Sequence, residues 1–150
     1  MPSLRELGLD QNPSMQPLSY PGRSVPGSCL LVGAWLHPLR YTPGNEIAEW
    51  SIDDDDGPLG AVRWLRGTVG VALRAQNASP MDERSPVLTV GSNASPGQLA
   101  YKYASWSTEH VIPITSVRIT GLAVAPSAHI ITPGYITSVA VRVLLARAAR

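Results

Sequence analysis

Pro86-Val-Leu-Thr-Val-Gly-Ser-Asn-Ala-Ser-Pro-Gly-Gln-Leu99 is the stretch on which the reading of this chain turns. Val87 to Val90 form a short apolar run rich in β-branched residues, which predicts a strand. The run breaks at Gly91-Ser92-Asn93, and a helix start follows at once. Ser95 stands at the N-cap position. Pro96 occupies the first helical position, where a missing N–H costs nothing. Gln98 lies three residues after the cap, the spacing of a capping box. Leu99, Tyr103 and Trp106 recur at helical spacing, so a helix with one apolar face is expected over about residues 96–104.

Such a junction aims backbone N–H groups and small polar side chains at one spot. Gly91 is expected to let the backbone leave the strand in a conformation most residues disfavour, and to leave room for a ligand. Ser92 and Asn93 offer a hydroxyl and an amide. The helix N-terminus behind them favours negative charge by about 0.3–1 kcal/mol at an exposed site. The candidate ligand-binding residues are therefore Gly91, Ser92, Asn93 and Ala94, for a small carboxylate, phosphate or amide. The same letters also make an ordinary strand-to-helix turn, so a purely structural loop is the competing reading.

Toward the C-terminus, Val111 to Val124 reads as a strand interrupted by Pro113 and Gly121. Ala128 to Thr132 reads as a short strand, and Tyr135 to Leu145 as another. Toward the N-terminus, residues 59–75 fit a helix and a strand equally. Asp53 to Asp56, closed by Gly57-Pro58, read as a solvated turn, lacking the alternating spacing of a calcium loop. Ile47 to Ile52 predict a strand. Residues 28–36 predict a buried strand, with Cys29 as a structural thiol. Residues 1–27 hold five prolines and are expected as a flexible Pro-rich arm, or one lying across the surface. The organisation expected is this arm followed by a single domain over residues 28–150. Its class is α+β and strand-rich, with a mixed or antiparallel sheet or partial barrel and one short helix.

The composition narrows the function. The chain has 150 residues and a formal net charge of +1, with its basic residues scattered, which argues against a nucleic-acid partner. One cysteine excludes an internal disulfide. No Cys pair, His-x-x-x-His, phosphate loop, dinucleotide fingerprint or Gly-x-Ser-x-Gly elbow occurs, so no metal and no cofactor are expected. No apolar stretch approaches the roughly 20 residues of a membrane span, and no signal segment is visible. A cytoplasmic protein without a membrane partner is expected.

The segment from Val87 to Leu99 resembles the opening strand and substrate loop of the γ-glutamylcyclotransferase-like family. Members typically read aromatic-Gly-Ser-Asn-Leu/Met before a helix. Here Val90 stands for the aromatic residue and Ala94 for the Leu or Met. The resemblance covers about residues 86–145. It implies a γ-glutamyl-type small-molecule ligand cradled by Gly91, Ser92, Asn93 and Ala94, and a substrate-channel strand pair beginning with Ser116 to Val124. It also implies 5-oxoproline release with a Glu as acid/base. That Glu lies far C-terminal of the loop in the family, and no Asp or Glu follows Glu109 here. Glu83, Glu109, His110 and His129 are the titratable alternatives, and the catalytic residue stays unassigned. Val139 to Ala146 needs apolar partners and runs directly into the last residues, as in a domain that stops before its closing strands. An unpaired edge of that kind predicts a homo-oligomer. Two functions follow: a cyclotransferase-like protein lacking a visible acid, or a non-catalytic β-rich binding or assembly module whose loop is only a turn.

Overall fold

The computed structural model describes residues 2–53, 67–105 and 110–143. The run that reads as one strand over residues 28–36 is instead a hairpin. β1 (Cys29–Val32) and β2 (Trp35–Arg40) pair antiparallel, with Val32 opposite Trp35 across a turn at Gly33 and Ala34. Gly33 has φ +56°, a left-handed conformation that glycine adopts without a Cβ penalty. β1 pairs on its other side with β4 (Val111–Ile114), and β2 with β3 (Ser51–Ile52). The sheet order is β3-β2-β1-β4, antiparallel throughout. The strand expected over Ile47 to Ile52 shrinks to two residues. Ile47–Glu49 forms a 3₁₀ turn in its place, and the Trp50 indole donates to the Asn45 carbonyl at 3.2 Å.

β1 is the centre of the core. Strand alternation sends Leu30 and Val32 to one face and Cys29 and Leu31 to the other. All four are buried. Leu30 and Val32 pack with Leu39, Trp50 and Ile52, and with Val69, Ala72 and Leu73 of α1 (Val69–Ala75). Cys29 and Leu31 pack with Leu36, with Leu4 of the arm, and with Leu99 of α2 (Pro96–Tyr103). The sheet is therefore covered by α1 on one face and by the arm with α2 on the other. Residues 2–27 lie across that second face, where the Leu4 N–H donates to the Ala34 carbonyl at 2.9 Å.

The ambiguous stretch takes the helical of its two readings over Val69–Ala75, α1. Gly70 costs that helix about 1 kcal/mol in propensity. It is there because a Cβ would come within 3.2 Å of the Ala48 carbonyl. α2 spans Pro96–Tyr103, close to the expected limits. Trp64, Trp106, Glu109 and Asp54 to Asp56 lie outside the described residues. Asp53 pairs with Arg40 at 2.7 Å on the surface.

Beyond β4, β5 (Leu122–Ile130) and β6 (Ile136–Arg142) form a separate antiparallel hairpin. The short strand expected over Ala128 to Thr132 is absorbed into β5. Among the described residues neither sheet closes into a barrel, and the fold is α+β and strand-rich. No described helix is long and apolar enough to cross a membrane.

One expectation fails at the stretch that opened the sequence reading. Residues 84–90 lie in no strand. Among the described residues, no backbone hydrogen bond reaches Val87, Leu88, Thr89 or Val90. β propensity is realised only against a neighbouring strand, and among the described residues this segment has none. Val87 is left 78% exposed.

Candidate functional site

The Gly-Ser-Asn segment is a 3₁₀ turn, Ser92–Ala94, leading into α2. The turn uses much of its own backbone. The Ala94 N–H donates to the Gly91 carbonyl at 2.8 Å, and the Ser95 N–H to the Ser92 carbonyl at 3.0 Å. The exposed Asn93 side chain is engaged as well, its Oδ1 accepting from Lys102 Nζ at 2.5 Å.

Ser95 is the N-cap and Pro96 begins the helix, as the sequence predicts. The capping box, however, does not form. No side chain caps α2. The Ser95 hydroxyl turns away and donates to the Gln11 carbonyl at 3.4 Å. Gln98 pairs with the arm instead: its Oε1 accepts from the Ser14 N–H and hydroxyl, both at 3.2 Å, and its Nε2 donates to the Ser14 hydroxyl at 2.8 Å. Ser95 and Gln98 are each only 1% exposed.

The glycines have the same cause. Gly91 has φ −131°, so it needs no left-handed freedom. A Cβ there would stand 2.8 Å from the Tyr20 hydroxyl. A Cβ on Gly97 would meet the Gln11 and Leu9 carbonyl oxygens at 2.5 and 2.6 Å. Gly22, on the arm, would meet the Ser95 hydroxyl at 2.7 Å. Small residues that resemble room for a ligand are thus contact points for residues 9–22. Two arm carbonyl oxygens lie over the N-terminus of α2, where they offset its positive end.

Tyr20 links the arm to the second sheet. Its hydroxyl accepts from the Ser138 N–H of β6, and its ring stacks on Tyr135 with centroids 4.4 Å apart.

The titratable candidates do not gather around the turn. His110 Nε2 sits 3.1 Å from the Gly33 carbonyl, at the β1–β2 turn. His129 contacts Ser127 near the end of β5. Glu83 ends a 3₁₀ turn, Met81–Glu83. None of the three shares a hydrogen bond or ion pair with residues 91–94. Cys29 is buried, and burial pushes its thiol up to about 12, which leaves it inert as a nucleophile. Among the described residues no group of three or more His, Cys, Asp or Glu could hold a metal.

A concave surface lies beside the turn, and Ala94 is among its lining residues. A groove of about 560 Å³ runs between Val87–Val90 and the start of β5. Val87, Leu88, Val90, Val117, Ile119, Leu122 and Val124 supply its aliphatic lining, and Ser24, Thr89, Thr115 and Ser116 supply hydroxyls. Among the described residues no charged or aromatic side chain lines it. Much of this lining faces water: Val117 is 63% exposed and Val124 61%. The sequence signal for the groove is the alternation Val117-x-Ile119 and Leu122-x-Val124, which reads equally as core. No protein-family model, curated protein or solved structure matches the chain.

Proposed function

We propose that this chain is a non-catalytic, strand-rich binding module that takes an apolar ligand in the groove between Val87–Val90 and β5. The observation that carries this reading is the occupancy of the α2 N-terminus by the arm. With Ser95, Gly97 and Gln98 packed against residues 9–14, the turn is a seat for the chain itself. The groove volume falls within the roughly 300–1,000 Å³ of small-molecule sites, and an aliphatic lining with a few hydroxyls is typical of them.

A neutral solvatochromic dye such as Nile red tests this. Saturable binding at one site per chain is expected, and Val124→Arg, at a 61% exposed position, abolishes it without unfolding the protein. Dye binding that survives Val124→Arg would remove the groove from the account.

A second reading is favoured by the resemblance of residues 87–99: a γ-glutamyl-type ligand held at Gly91 to Ala94. Its test is 5-oxoproline release from γ-glutamyl amino acids. Turnover abolished by Ser92→Ala and Asn93→Ala would replace the first reading.

A further inference from the structure

We propose that the groove's ligand is an aliphatic carboxylate, and that Arg142 receives its headgroup. This rests on the groove being the binding site. The register of the second hairpin carries the argument. Leu122 lies opposite Arg142, and Val124 opposite Ala140. Residues directly opposite one another in an antiparallel pair present their side chains on the same face. Arg142 therefore shares a face with Leu122, Val124 and Ala140, all three of which line the groove. Arg142 is not itself a lining residue; the register sets it opposite Leu122, at the edge of the aliphatic wall.

Among the described residues no ion pair engages that guanidinium. No Asp or Glu follows Glu109 in the sequence. Among the described residues the one ion pair is between Arg40 and Asp53, in the first sheet. An arginine stem lies well against apolar surface while its head stays hydrated, and its fork matches a carboxylate in two parallel hydrogen bonds. The lining fits the rest of such a molecule. Aliphatic side chains without an aromatic platform favour a hydrocarbon body over a flat ring. Arg118 is the internal comparison: it lies between Val117 and Ile119, which line the groove, but outside the β5–β6 register that sets Arg142 opposite Leu122.

Octanoate and octanol, which differ only in the headgroup, separate the possibilities in isothermal titration at pH 7. Octanoate is expected to bind about fivefold tighter than octanol, the scale of an exposed ion pair. R142Q should bring the two to equality, R142K should keep part of the preference, and R118Q should leave it intact. Equal affinities in the parent protein, or a preference that survives R142Q or disappears equally in R118Q, would overturn the assignment of Arg142 while the groove stands. If neither octanoate nor octanol binds, the groove reading itself falls.

Discussion

Gly97→Ala turns the contact between arm and helix into a sign. In an open helix N-terminus, alanine for glycine adds up to about 1 kcal/mol of stability through propensity. Here the new Cβ would stand 2.5 Å from the Gln11 carbonyl, 2.6 Å from the Leu9 carbonyl and 2.7 Å from the Asp10 carbonyl carbon. All three are backbone atoms, so no rotamer change relieves the clash. Overpacking of this kind costs about 1–3 kcal/mol. With three contacts below 3.0 Å the upper half of that range applies, and the net loss is about 1–2 kcal/mol. At a urea m-value of about 1–3 kcal/mol/M the unfolding midpoint falls by roughly 0.3–2 M. Gly27 is the control, because a Cβ there meets nothing within 4 Å. Gly27→Ala should hold or raise the midpoint. A Gly97→Ala midpoint equal to or above the parent's would refute the arm as occupant of the helix end.

Three further outcomes are expected. Leu30 is fully buried at the sheet centre, so Leu30→Ala should cost about 2–5 kcal/mol by denaturant titration. Tyr20→Phe removes the hydroxyl that accepts from the Ser138 N–H, and hydrogen exchange at Ser138 should quicken while exchange in β1 stays unchanged. Burial raises the Cys29 thiol from about 9 to about 12, so the folded state holds its proton more tightly than the unfolded state. Stability should therefore fall as pH rises above about 9, and Cys29→Ala should flatten that alkaline slope in urea midpoints measured against pH.

The features legible in sequence are those set by near neighbours. Ser95 and Pro96 mark the start of α2 correctly because a helix start is written within a few residues. The β-branched run after Gly134 becomes β6 for the same reason. The features misread are set by distant chain. Gln98 has capping-box spacing, yet its partner is Ser14, 84 residues away. Gly91 looks like an approach point for a ligand, and what approaches it is the arm, as at Gly97. No local window distinguishes the two, since both demand a missing side chain. Val87 to Val90 fail in the opposite sense: their propensity is high, but among the described residues no strand lies alongside to satisfy it. Gly33 was a legible turn signal hidden by its apolar flanks, because a buried central strand and a tight buried hairpin share the same composition.

We infer that the Gly-Ser-Asn turn seats the arm and that ligand binding belongs to the groove. Amide chemical-shift mapping by NMR tests it most directly, with octanoate and a γ-glutamyl dipeptide titrated separately. Saturable octanoate shifts are expected at residues 87–90, 94, 122–124 and 140, and no saturable dipeptide shift at Gly91, Ser92 or Asn93. Saturable dipeptide shifts at those three amides, with the groove silent toward octanoate, would contradict it.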